Sequence, residues 1–400
     1  MQTGEFVPYD DAIVIGEPDG PSFGAVQNAL ARAVNAGSIV GLQLRVFKDG
    51  RSALSADLGF ADRETERAVD AHTQFRLASM TKPIVSAAAF KLSESGLLDL
   101  NAPVTDVLPW FRPRMANGAS VDIRLWHLLA HQAGLHYSFL TLEDAGHDAA
   151  GASDGLDLNG DDLMTAVEKI GRVPLAFRPG EGWAYSPATD VLGAVMQGAV
   201  GRPLPDIVAD LVTAPLGMVD TAFRAGDPAR LAKAYRDAPN GGPAIPMGPR
   251  ERLQLPEAGF IDYAPARAID GAAYPSAGAG MIGTADDYVK FAEMLRGGGN
   301  TLLEAASVEA MTTDASEPFD VGAAGPGFGF GLGCAVVRDP AIAGVPRAPG
   351  SFGWGGVYGS FFFVDPLHDL TVVCLTNTAL EGLTGAFPGN VTQAVYADLT

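Results

Sequence analysis

The stretch Phe75-Arg-Leu-Ala-Ser-Met-Thr-Lys-Pro-Ile-Val-Ser-Ala-Ala-Ala-Phe-Lys-Leu92 restricts this chain more than any other. Ser79 and Lys82 stand three residues apart, so on a helix both reach one face. The apolar run through Ile84, Val85, Ala87, Ala88, Ala89 and Phe90 predicts a buried helix that ends near Gly96. Pro83 fits only near a helix start, which puts Ser79 at or near the N-terminus. Free N–H groups and the positive dipole end there favour a developing oxyanion and disfavour a charged lysine. Nucleophile, proton acceptor and electrostatic support thus fall within one helical turn. The same residues also admit a plain structural reading, with Ser79 as a cap and Lys82 as a solvated first-turn residue.

Charge and composition narrow the partners. A formal charge of −20 over 400 residues argues against nucleic acid and anionic membranes. A hydrophobic content of 47% is ample for a large core in one or two domains. Cys334 and Cys374 are the only cysteines and lie in apolar, strand-like runs, so they read as buried free thiols, with no metal cluster or disulfide framework. The first residues lack the basic and apolar regions of a signal peptide, and no run is long enough to span a bilayer. A soluble, cytoplasmic protein is expected.

Along the chain, Gly24 to Ala36 predicts a helix capped by Ser22. Ile39 to Phe47 and Ala53 to Phe60 predict a hairpin turning at Lys48-Asp-Gly50, and Gln74 to Leu77 a short strand. Helices are expected at Val121 to Gly134, Asp162 to Ile170, Thr189 to Gly198 and Leu204 to Val212. Ala145 to Asp162 reads as a polar surface loop, and Ala225 to Ala264 as irregular. Thr284 caps a helix running to Leu295. Phe328 to Val337, Ser351 to Trp354, Gly359 to Asp365 and Leu370 to Asn377 read as antiparallel strands, and Asn390 to Leu399 as a closing helix. Strands at both ends and helices between them predict a discontinuous α/β sheet domain, 1–100 with 248–400, and a mainly helical inserted domain, 101–247. The fold class is α+β, an antiparallel sheet flanked by helices.

Two further stretches carry chemistry. Arg178-Pro-Gly-Glu-Gly-Trp-Ala-Tyr185 sets a tyrosine in a glycine-flanked loop before a helix. Gly353-Trp-Gly-Gly-Val357 offers paired glycines that let another backbone or a ligand approach closely. Ser79-x-x-Lys82, Leu128-Leu-Ala-His-Gln-Ala-Gly-Leu135, Tyr185, Gly278 to Leu295 and Trp354-Gly-Gly356 occur in one order. Together they resemble the serine β-lactamase-like superfamily, which includes penicillin-binding proteins, class C β-lactamases and family VIII carboxylesterases. The resemblance covers about Ile39 to Asn377. Two departures point to its esterase branch. The tyrosine motif is Tyr185-Ser-Pro187 where lactamases have Tyr-x-Asn, and Trp354 stands where they carry a lysine or histidine.

That resemblance implies an acyl-accepting Ser79 Oγ, with Lys82 and Tyr185 sharing its activation. A lysine at its ordinary pKa of about 10.4 is a poor base at neutral pH, and which of the two takes the proton stays open. The N–H groups of Ser79 and Val357 are the implied oxyanion hole, the second by its position after Trp-Gly-Gly. Trp354, Gly355, Gly356, His136 and Tyr137 are candidates for the substrate pocket. The expected activity is hydrolysis of a small or medium carboxylic ester without cofactor or metal. A β-lactamase, D-Ala-D-Ala peptidase, amide hydrolase or acyltransferase on the same machinery is the alternative, as is a catalytically silent binding protein.

Other motifs yield blander readings. Gly20-Pro-Ser-Phe-Gly24 and Gly151-Ala-Ser-Asp-Gly155 fit Gly-x-Ser-x-Gly, but Ser22 is better explained as a cap and Ser153 lies in a polar loop. His127 and His131 have helical spacing without the glutamate of a His-Glu-x-x-His zinc site. Asp154 to Asp162 lacks the ligand register of a calcium loop.

Overall fold

The computed structural model describes residues 14–16, 23–140, 146–255 and 258–399; Ser22 lies outside them. Nine strands form one sheet: β1 (Val14–Gly16), β2 (Gly41–Lys48), β3 (Arg51–Asp62), β4 (Arg67–Ala68), β5 (Phe328–Phe330), β6 (Ala335–Val337), β7 (Phe352–Gly356), β8 (Ser360–Asp365) and β9 (Leu370–Thr376). Their order is β1-β3-β2-β9-β8-β7-β6-β5, with β4 added on β3, and every pairing is antiparallel. The β2–β3 hairpin turns through Asp49 and Gly50, with φ of 54° and 72°. Both are left-handed, as the twist of a two-residue hairpin demands. Strand β2 then pairs with β9, Val46 opposite Val372 and Leu44 opposite Cys374, so early and late segments share the centre of the sheet.

Helices cover both faces. They are α1 (Gly24–Asn35), α2 (Thr81–Glu94), α3 (Leu125–Leu129), α4 (Leu163–Ile170), α5 (Ala188–Val200), α6 (Leu204–Val208), α7 (Ala285–Arg296) and α8 (Ala386–Leu399), with a further eight-residue helix at Ala305–Thr312 and shorter turns between. Because strand side chains alternate, Phe361, Phe363 and Cys374 pack with α1 and α8. Phe362, Val364, Val373 and Leu375 face the larger core with α2 and α7. Cys334 and Cys374 lie in these separate cores as free thiols, and burial pushes both up. The first N–H groups of α1 donate to Asp398 on α8, from Ala25 at 3.0 Å and Val26 at 2.8 Å, an interhelical cap. No helix among the described residues is long and apolar enough to cross a membrane.

Three expectations need correction. The helix expected over Val121 to Gly134 is only α3, five residues long. Arg124 is extended and bridges Pro103, while His131 and Gly134 turn through φ of 56° and 81°. Burial of Ile123, Leu125, Leu128, Leu129 and Ala133 imitates a helical stripe, yet one turn and a bend achieve it. The described part of the expected polar surface loop, 146–162, is packed inward, with His147, Ser153 and Leu156 buried. The proline-rich 225–264 stretch contains a hairpin, Glu251–Gln254 with Phe260–Tyr263, and a small pairing of Tyr235–Arg236 with Ile245–Pro246.

Candidate active site

Ser79 sits in the tight turn Ala78–Met80 that leads directly into α2. Ala78 before it holds φ of 43°, left-handed for a residue with a Cβ, a conformation that costs about 1–3 kcal/mol. Strand β7 holds that turn from outside. A Cβ on Gly356 would lie 2.2 Å from the Leu77 carbonyl oxygen, so only glycine lets the strand come this near. From inside, Leu77 donates to the Met281 carbonyl at 2.9 Å, and the Tyr288 hydroxyl donates to the Met80 carbonyl at 2.9 Å. The Ser79 and Val357 N–H groups have no backbone acceptor among the described residues. The Val357 carbonyl is taken by the Tyr263 hydroxyl at 3.1 Å.

Lys82 is 1% exposed. Its Nζ lies 3.3 Å from Ser79 Oγ, 3.0 Å from the Tyr137 hydroxyl and 2.9 Å from the Gly278 carbonyl oxygen. It also stands 4.6 Å from the centre of the Tyr185 ring. Tyr185 is fixed at its oxygen by the indole N–H of Trp354, which donates at 3.1 Å. Trp354 therefore does more than form a wall, since it positions the tyrosine. Around them Tyr137 stacks on Phe139 at 4.5 Å, and Phe330 meets Trp354 edge to face at 5.2 Å. Burial first, then neighbouring Tyr185 and Asp190, push the Tyr137 phenol well above its usual range, so it stays neutral.

Asp190 escaped the sequence reading. It lies in the first turn of α5, fully buried, and accepts from the Gly278 N–H at 3.4 Å. A Cβ on Gly278 would be 3.0 Å from Asp190 Oδ2, 3.2 Å from the Tyr137 oxygen and 3.4 Å from Lys82 Nζ. One glycine thus leaves room for three polar groups to converge. Burial pushes the Asp190 carboxyl up, while the Ser276 hydroxyl and Lys82 oppose that push. The sequence does carry a signal for it, an acid five residues after Tyr185 in an otherwise apolar helix.

The predicted residues do not all meet. Ser79, Lys82, Tyr137, Tyr185 and Trp354 converge, and Gly356 supports them. A Cβ on Gly355 would meet the flexible tip of Leu383 at 2.2 Å and the Ser360 carbonyl oxygen at 3.2 Å. His136 does not join them. It faces His147 at 4.7 Å between ring centres and lines a separate small cavity with Leu135, Ser153 and Pro187. His127 accepts the Arg124 N–H at 2.9 Å, and burial pushes it down to about 4. His131 is 3.1 Å from Ser186 Oγ, and burial with Lys82 nearby keeps it neutral. Ser153 is a buried pin, bonded to the Asp157 carboxylate, the Tyr274 hydroxyl and the Gly155 N–H.

Comparison with known proteins fits this geometry. The family model described as Beta-lactamase matches residues 26–386. Esterase EstB of Burkholderia gladioli is 42% identical over 365 residues, covering 90% of this chain and 91% of that protein. The solved structure of EstCE1, described as a hydrolase with promiscuous acyltransferase activity, superposes with a TM-score of 0.88 at 38% identity, over 93% of this chain and 97% of that one. The D-amino acid amidase of Ochrobactrum anthropi shares the fold, with a TM-score of 0.67 at 21% identity, over 94% of this chain and 99% of that one. The chain belongs to the β-lactamase family.

Proposed function

We propose that this protein is a serine carboxylesterase that cleaves small to medium esters through an acyl-enzyme on Ser79. The observation that carries the reading is the buried Lys82 amine on Ser79 Oγ, beside a Tyr185 fixed by Trp354. In this reading Ser79 Oγ attacks the ester carbonyl while Lys82 and Tyr185 together take its proton. The tetrahedral oxyanion is held by the N–H groups of Ser79 and Val357. The same pair returns the proton to the departing alcohol. Water then repeats the sequence on the acyl-enzyme and frees the acid. No cofactor takes part. Trp354 supplies no cation for the carboxylate of a lactam or peptide, which supports esters over lactams as substrates. The identity to esterase EstB supports the same choice. The division into a sheet unit, 1–100 with 248–400, and a helical unit, 101–247, belongs to this reading, with the cleft between them.

A second reading, transfer of the acyl group to an alcohol in place of water, is favoured by the description of EstCE1. The test is p-nitrophenyl butyrate hydrolysis by the native protein beside Ser79→Ala, with intact-mass detection of the acyl adduct and added alcohol as a competing acceptor. Turnover and adduct should vanish together in the variant. Retained turnover, or nitrocefin cleaved faster than the ester, would sink the proposal.

A further inference from the structure

Two arginines beside the candidate site, Arg76 half-buried and Arg267 buried, have no carboxylate bonded to them among the described residues. Arg45 shows how this chain otherwise treats such a group. It is 3% exposed and held by Asp57 at 2.8 Å and Asp286 at 2.6 Å. Arg76 donates to the carbonyls of Pro265, at 3.0 and 2.6 Å, and Ala232, at 2.7 Å, and its guanidinium lies over the Tyr358 ring at 5.5 Å. Arg267 is 8% exposed, donates to the Asp157 carbonyl at 2.7 Å and to the Tyr274 carbonyl, and lies over the Tyr274 ring at 4.2 Å. Its Nε has no hydrogen-bond partner among the described residues. Neither arginine has a carboxylate within 4 Å among those residues. Carbonyl dipoles fix the planes of both guanidinium groups, but they do not neutralise them.

Between the two lies a cavity of about 20 Å³, lined also by Ala279, Gly280 and Tyr358. That volume accommodates one or two oxygen atoms. Burial pushes the Tyr358 phenol up to about 12, against the pull of both arginines, so its O–H remains a donor. The residues that line this cavity adjoin those of the candidate site in sequence. Arg76 precedes Ser79 by three residues, Tyr358 follows Val357, and Ala279 follows the Gly278 that receives Lys82. Tyr358 and Ala279 pack in the same cluster as Tyr137 and Tyr185.

We infer that Arg76 and Arg267 form a carboxylate subsite, filled by a small free carboxylate or by the far end of a dicarboxylic half-ester. Two planar forks and a phenol around a space of this size suit the two oxygens of a carboxylate. The free-anion source stands by itself, whereas the half-ester source rests on the esterase reading.

The test uses the full chain with Ser79→Ala, titrated with sodium acetate at constant ionic strength and followed by thermal melting. Acetamide serves as the neutral isostere. A saturable rise in Tm with acetate alone is expected, its midpoint moving about tenfold or more in Arg267→Gln and Arg76→Gln. If Arg267→Gln fails to fold, Arg76→Gln carries the test. Absence of saturation, an equal response to acetamide, or midpoints that ignore both substitutions would overturn the subsite. The source is read with Ser79 intact, from kcat/KM for the 4-nitrophenyl half-ester of adipic acid relative to 4-nitrophenyl hexanoate. A half-ester preference that collapses in the arginine variants, with acetate competing, assigns the site to substrate. Acetate binding without that preference assigns it to a free anion. Failure to turn over either ester while acetate still binds would remove the esterase reading and keep the subsite.

Discussion

Arg45 and Lys82 are both buried basic side chains, yet they are held in opposite ways. Arg45 on β2 is gripped by two carboxylates that raise its pKa despite burial. Lys82 on α2 is held by a hydroxyl, a phenol and a carbonyl, all formally neutral. Asp190, the carboxylate beside Lys82, forms no hydrogen bond to it. The first arrangement fixes a charge permanently into the sheet. The second fixes the position of a nitrogen through neutral groups, with the Asp190 carboxyl close by but not bonded to it. The first arrangement serves stability, and on the proposed reading the second serves proton transfer.

The comparison can be broken most forcefully at its catalytic end. Lys82→Ala should lower kcat/KM for p-nitrophenyl butyrate by about 10⁴-fold or more, as loss of one member of an interdependent set does. Tyr185→Phe should cost about 10²–10⁴-fold in kcat, the usual worth of a general acid–base group. The converse applies to the sheet. Asp57→Asn with Asp286→Asn should lower stability by about 2–3 kcal/mol in urea melts, while kcat/KM stays within about twofold. A matching loss of activity would erase the distinction.

Finer tests sharpen it. Trp354→Phe keeps a ring but removes the N–H that holds Tyr185, and kcat should fall about tenfold, the worth of one such bond. The smallest effect is a pH dependence. Burial raises the Asp154 carboxyl to about 6, opposed by the Ser138 hydroxyl and His147. An acid raised on folding binds more protons in the native state than in the unfolded one. Its contribution is therefore most favourable below the unfolded value near 3.9 and is lost as pH rises to about 6. Asp154→Asn should flatten that decline in Tm, and an unchanged slope would exclude Asp154 as its source.

Much of this was legible because local and global signals agree. Ser79, Lys82, Pro83 and the apolar run all demand the same helix start, and α2 delivers it. The paired glycines before Val357 announce a close approach, and Gly356 makes it against Leu77. Periodicity failed where burial is not helical. From Ile123 to Leu135 the chain buries residues at helix-like intervals through one turn and a bend. Polarity failed at 146–162, because Ser153 and Asp157 satisfy one another inside. Asp190 leaves a sequence signal as an acid in a mostly apolar helix, but its partners do not, since only the folded chain brings Gly278 and Lys82 beside it. His136 was misjudged because neighbours in sequence diverge here, with Tyr137 directed to Lys82 and His136 to His147.

The position of β2 sets a clock on the chain's synthesis. β2 is buried on both sides and waits for β9, which begins at Leu370. Roughly 320 residues separate the two, which at about 5–20 residues per second is roughly 16 to 65 s of translation. Throughout that interval one edge of a long apolar strand is unpaired, a template for association with other nascent chains. Ser79 is made early, but β7, which holds its turn in place, arrives late. The interval of exposure thus lengthens as translation slows.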